Sequence, residues 1–134
     1  MRVRFFYDVV CPYAWMAASR IEGWADHHGV TVEWCPVLLG GLFRHHASPD
    51  VPAATWAPQK AAVGLTDVHR MATLHGLELR FPPGHPRRTV DAMRLCVAAP
   101  PEVRPALSLD LYRAVWIDHE NRDRQAIQDR LCVR

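Results

Sequence analysis

Residues 5–36 read "FFYDVVCPYAWMAASRIEGWADHHGVTVEWCP", and the reading of this stretch decides the fold. Arg2 to Asp8 has strand character, with Val3, Phe5 and Phe6 as core candidates. Pro12 suits the first turn of a helix, because the N–H it lacks has no intrahelical acceptor there. Apolar Trp15, Ala18, Ile21, Trp24 and Ala25 follow at three- and four-residue steps, which predicts one amphipathic helix. Gly29 closes it as a left-handed residue just past the end. Val30 to Cys35 predicts a second strand, ended by Pro36. Together these make a β-α-β unit, with parallel strands and a right-handed crossover expected.

Working outward, "PVLLGGLFRHHASPDVPAATWAP" at 36–58 predicts a long irregular connection, on the strength of Gly40-Gly41 and four prolines. Helices are expected at 59–75, with Gly76 as the stop, and at 89–99, with Thr89 as N-cap. A further helix is expected at 102–119 and a last short one at 124–131, capped by Asp123. Between 77 and 88 the Pro-rich "LELRFPPGHPRR" predicts a crossing with little regular structure. The division expected is 1–43 for the β-α-β part and 44–134 for a mainly helical part.

The 134 residues suffice for one domain with its own core. A net charge of +2 is too small to argue for nucleic acid or a membrane surface as partner. No apolar run approaches the roughly 18 residues that a membrane span needs. Met1-Arg2-Val3-Arg4 runs straight into a strand-like segment containing Asp8, unlike a secretory signal, so the expected location is the cytoplasm. Cys11, Cys35, Cys96 and Cys132 are scattered singly, as free thiols are in a reducing compartment. The last three stand in apolar contexts and read as structural. There is no Cys-x-x-Cys and no His-x-x-x-His, so no metal site is expected.

Cys11 is the chemical focus. A thiolate at a helix start is favoured by the dipole and by free N–H groups, which lower the thiol pKa. Thiol-disulfide enzymes that open this way carry a second cysteine three residues on, and here that position is Ala14. Cys11 therefore reads either as a group that manages a sulfur brought by a small molecule or as a small buried hydrophobe.

The segments "FYDVVCPYAW" (6–15), "VEWCPVLLGGLF" (32–43), "APQKAAVGLTDVHRMATLHGLELRFPPGHPRRTVDAMRL" (57–95) and "LYRAVW" (111–116) carry a family likeness. The chain resembles the 2-hydroxychromene-2-carboxylate isomerases and the kappa-class glutathione transferases, in the DsbA-like branch of the thioredoxin fold. The resemblance implies an α/β thioredoxin-like domain with an α-helical insertion, and glutathione as cofactor. It implies a glutathione-dependent isomerisation: a thiolate adds to a conjugated substrate, a bond rotates and the thiolate leaves. It places Cys11 as the catalytic residue, where the family has a serine that hydrogen-bonds the glutathione sulfur. Pro12, Tyr13 and Lys60 become glutathione-binding residues, with a solvated helix end as the plain alternative for Lys60. Leu42, Phe43 and Trp56 are candidates for an apolar substrate pocket, with plain packing as the alternative. Arg80, His85 and Arg94 are polar residues expected near the site. A homodimer is the assembly implied, as relatives are often dimers.

The family's cis-proline segment, its further strands and its last helix have no counterpart in 117–134, so the C-terminal thioredoxin half is expected to be truncated. Two other readings follow. One is a thiol-disulfide oxidoreductase or kappa-type glutathione transferase that uses Cys11 as nucleophile. The other is an inactive remnant or a partner-binding module with an open sheet edge.

Overall fold

The structure, a computed structural model, describes residues 1–118. Strand β1 (Arg2–Tyr7) pairs in parallel with β2 (Thr31–Pro36), in register from Arg2 opposite Thr31 to Tyr7 opposite Pro36. The crossover between them is two helices, α1 (Pro12–Ala18) and α2 (Ile21–His28), rather than the one expected. The break has a local cause. The Ser19 hydroxyl donates to the Met16 carbonyl at 3.0 Å, and the Arg20 N–H turns to Ala17 in a tighter i→i−3 bond. The helix restarts at Ile21 and runs to Gly29, whose φ of 62° lets its N–H reach back to the carbonyls of Ala25 and Asp26.

Period-two geometry sorts β1. Val3, Phe5 and Tyr7 turn toward the core. Phe6 faces the other way and is 57% exposed beneath the Arg4 guanidinium, so it is not the core residue expected. Trp34 of β2 meets Phe5 and Tyr7 edge-on, with ring centroids 5.1 and 5.2 Å apart.

Beyond β2 the expected irregular connection contains α3 (Leu39–His45) and a 3-10 turn, Pro52–Thr55. The glycine pair that argued against a helix is outweighed by a tertiary bond: the buried Asp8 carboxylate accepts the Leu39 N–H at 2.8 Å. Helices α4 (Pro58–Leu74), α5 (Val90–Ala98) and α6 (Arg104–Trp116) follow close to their expected places. The segment 77–88 crosses between α4 and α5 without regular structure and is tied to the end of α6 by Arg80 N–H to the Trp116 carbonyl, 2.8 Å. The expected helix at 124–131 and Cys132 lie outside the described residues.

The main core gathers Tyr7, Val9, Trp15, Trp34, Met93, Cys96, Leu111, Tyr112 and Trp116. It draws on both strands and on α1, α5 and α6, so the early β-α-β unit and the later helices share one interior. A smaller cluster, Met16, Val68 and Ala72, packs α1 on α4. No helix among the described residues is long and apolar enough to cross a membrane.

Candidate active site

The segment 8–11 joins β1 to α1, and the core holds it from three sides. Asp8 is almost fully buried, and its carboxylate accepts three hydrogen bonds: from Val10 N–H at 3.1 Å, Leu39 N–H at 2.8 Å and the Thr89 hydroxyl at 2.9 Å. Thr89 is the N-cap residue of α5, as expected, but its hydroxyl turns to Asp8 and makes no bond to the helix N–H groups. From α6, Tyr112 donates to the Asp8 carbonyl at 3.2 Å and Trp116 Nε1 to the Val9 carbonyl at 2.9 Å. The Cys11 N–H donates to the Asp8 carbonyl at 3.0 Å, which closes a tight turn into the helix.

Cys11 is the N-cap of α1, with extended backbone (φ −93°, ψ 118°), and Pro12 takes the first helical position. Burial pushes the Cys11 thiol pKa up and outweighs the nearby N–H groups of Ala14 and Tyr13, which favour the thiolate. Asp8 adds to that rise. The direction is therefore opposite to the lowering that a helix start alone leads one to expect, because partial burial of the sulfur outweighs the helix-start N–H groups.

Tyr13 is half exposed and donates its hydroxyl to Asp67 of α4 at 2.7 Å; this bond, with some burial, pushes the phenol pKa up to about 12. Lys60 is exposed in the first turns of α4, with its ammonium 4.5 Å from the centroid of the Trp56 ring. It lies seven residues, or about 10 Å of helix axis, before Asp67. Cys11, Pro12 and Tyr13 thus form one cluster at the start of α1, and Lys60 stands on α4 with its ammonium over the Trp56 ring. Among the described residues, no group of three metal-ligating side chains occurs.

The other expected site residues scatter. Arg80 pairs with Glu78, and Arg94 with Asp91 at 3.4 Å. His85 packs its ring on Phe81 and Trp116, and burial lowers its pKa. Leu42 is 43% exposed on α3, and Trp56 lies flat on α4 at Gly64.

One cavity touches the 8–11 turn and a second adjoins the first. A cleft of about 540 Å³ lies between α3 and the segment leading into α5, and Asp8, Val10, Arg44, Arg87, Arg88 and Thr89 are among its walls. A groove of about 370 Å³ lies between the end of β2 and α5, lined mainly by Pro36, Val37, Met93 and Val97. Leu38 and Val90 border both, so the two are neighbours across a shared wall.

Sequence reasoning missed Asp8 as the pin of the site and Arg104 as a pin of the core. Arg104 donates to the carbonyls of Trp34, Cys96 and Ala99 at 3.1, 2.8 and 3.0 Å. The one available signal for Asp8 was a lone carboxylate at the end of an apolar strand, which burial makes expensive unless it is bonded.

With this geometry in view, the comparisons with known proteins agree on architecture. The chain is 25% identical over 127 residues to glutathione S-transferase kappa 1 of Rattus norvegicus, covering 89% of this chain and 55% of that protein. Its fold matches a solved structure of 2-hydroxychromene-2-carboxylate isomerase with a TM-score of 0.73 at 20% identity, covering 98% of this chain and 66% of that one. The chain thus spans between half and two thirds of the length of these relatives. Residues 2–133 match the model of the DSBA-like thioredoxin domain, and together with the parallel β-α-β unit this shows that the chain belongs to the DSBA-like thioredoxin domain family.

Proposed function

We propose that the chain carries the thiol-handling part of a glutathione-dependent isomerase of the 2-hydroxychromene-2-carboxylate isomerase type, with Cys11 as the residue that manages the glutathione sulfur. The observation that carries this reading is the place of Cys11: it is the N-cap of α1, with Pro12 at the first helical position, and it is partly exposed. Burial pushes its thiol pKa up, which favours an S–H donor over a thiolate nucleophile. Ala14 stands three residues on and offers no resolving thiol. Both facts favour an isomerase over a thiol-disulfide oxidoreductase.

The residues at the start of α1 fit a bound thiol. Glutathione supplies a thiolate able to add to a conjugated electrophile and leave again without net redox change. Cys11 donates its S–H to that sulfur and the N–H groups of Tyr13 and Ala14 add positive potential, so that the thiolate is favoured where it is needed. Pro12 at the first helical position holds Cys11 in the extended backbone of the N-cap. Tyr13, anchored on Asp67, walls the site on the α4 side.

Calorimetric titration of glutathione into the chain, wild type beside Cys11→Ala and Cys11→Ser, tests the proposal. The expected result is binding that weakens several-fold in the alanine variant and is retained in the serine variant. Absence of binding to all three proteins ends the catalytic assignment for this chain. A stable mixed disulfide formed when Cys11 exchanges with oxidised glutathione and releases one reduced glutathione, seen as a mass increase, would transfer the assignment to the oxidoreductase reading.

A further inference from the structure

We infer that His85 is an acid-sensitive fastener of the 77–88 crossing: its neutral ring, packed on Phe81 and Trp116, holds the crossing down, and protonation of the ring unseats it. The device belongs to the fold behind the thiol site and does not depend on glutathione.

The crossing has no regular structure, so few bonds hold it and local opening is cheap. Trp15 Nε1 of α1 donates to the Glu78 carbonyl at 3.3 Å, and Arg80 N–H donates to the Trp116 carbonyl at 2.8 Å. Leu77, Leu79 and Phe81 pack against both core clusters. Farther along, Pro83, Gly84, Pro86 and Arg88 are exposed, and it is His85 that turns inward. Its ring centroid lies 5.4 Å from that of Phe81 and 5.0 Å from that of Trp116. Its Nδ1 is buried and has no hydrogen-bond partner among the described residues. A neutral imidazole can leave that nitrogen bare. An imidazolium must place an N–H there with no acceptor, and a charge with no counter-ion.

The charged groups around the ring do not answer it. Within the crossing Arg80 pairs with Glu78, Arg87 donates its Nε to the Pro83 carbonyl at 3.0 Å, and Arg88 is exposed. From α4, His69 meets the Phe81 ring with centroids 5.7 Å apart, and α6 presents Trp116, which carries no charge. Among the described residues no ion pair reaches His85. The two rings attract a cation, but burial sets the net direction and lowers the His85 pKa. Because the folded form favours the neutral ring, the contact is at full strength above about pH 6.5, the ordinary histidine value, and weakens as the pH falls below it. The thiol site stands one contact away: Trp116 Nε1 also holds the Val9 carbonyl at 2.9 Å, two residues before Cys11.

Hydrogen exchange of the full chain, corrected for the intrinsic pH dependence of exchange, tests this on peptides covering 77–88 at pH 7.5 and pH 5.5. Protection of these peptides in wild type should fall at least about threefold between the two. The ceiling is about tenfold, set by a group that titrates at 6.5 in the opened form. His85→Phe, which keeps a ring and takes no proton, should hold its protection within about twofold, and His69→Gln should behave as wild type does. If His85→Phe does not fold, His85→Gln removes the same titration and gives the same readout. Unchanged protection in wild type at pH 5.5, or a wild-type loss in the His85 variant, overturns the inference. So does a loss of the pH dependence in His69→Gln.

Discussion

At Cys11 two influences act on one sulfur atom. The peptide N–H groups of Tyr13 and Ala14 stabilise a thiolate, as at any helix start, while burial and the carboxylate of Asp8 destabilise it, and the second pair prevails. The sign is clear for kinetics. Only the thiolate is alkylated, so below the pKa the rate rises about tenfold for each pH unit. Because the Cys11 pKa lies above its ordinary value of 9.0, alkylation by iodoacetamide should be slower at pH 7 than for a free cysteine. It should still be climbing at pH 9, where an unperturbed thiol is half ionised. Mass spectrometry of tryptic peptides, which also separates Cys11 from Cys35, checks this. A rate plateau below pH 8 would contradict the thiol-donor role. Tyr13 illustrates the same point from the other direction: its phenol is kept neutral by donating to a carboxylate.

Helix boundaries show where local chemistry sufficed and where it did not. Gly29 ends α2 because no other residue adopts φ near 60° so cheaply. Gly29→Ala should cost about 1 kcal/mol, seen as a lower urea midpoint with an unchanged slope. No neighbouring atom lies close enough to add a steric cost, so a loss of several kcal/mol would mean the residue does more than end a helix. The start of α3, by contrast, depends on a partner far away in sequence. Its first N–H is satisfied by a carboxylate 31 residues earlier, and two glycines that weaken an isolated helix are tolerated as a result. The split of α1 from α2 is again local, since a serine hydroxyl competes for a carbonyl within its own turn.

For the molecule as a whole, Asp8 is where the parts meet. Its three side-chain bonds join the turn after β1 to α3 and to the start of α5, while its carbonyl is held by Tyr112 of α6. Asp8→Ala strands two peptide N–H groups and a hydroxyl in the interior, each worth roughly 1 kcal/mol or more. The variant should lose about 3 kcal/mol or more in urea unfolding, while Thr89→Val, which removes one of the three donors together with its hydrogen bond, should lose about 1 kcal/mol. A stability change below about 1 kcal/mol in Asp8→Ala would show that the parts hold together without it.

The β-α-β unit and its parallel pairing were legible, because strand character, helical period and a glycine stop are written into neighbouring residues. The long helices 58–74, 90–98 and 104–116 were legible for the same reason. The grouping of Cys11, Pro12 and Tyr13 followed from their adjacency, and the likeness to the thioredoxin branch was carried by motifs along most of the chain. Four things were not legible. Phe6 reads as apolar in a strand, and only the facing direction of Tyr7 and Phe5 shows that it points outward. Thr89 reads as the N-cap of α5 and is, but that its hydroxyl goes to Asp8, 81 residues away, is not written locally. That the Lys60 ammonium sits over the Trp56 ring is likewise absent from the local sequence pattern. The acidity of Cys11 depends on how deeply the fold encloses it. In this protein, then, sequence by itself determined the two strands, their order and the longer helices, since propensities and periodicities act over a few residues. Tertiary structure alone decided which polar groups are buried and what bonds them, since burial and long-range hydrogen bonds exist only once distant segments are packed together.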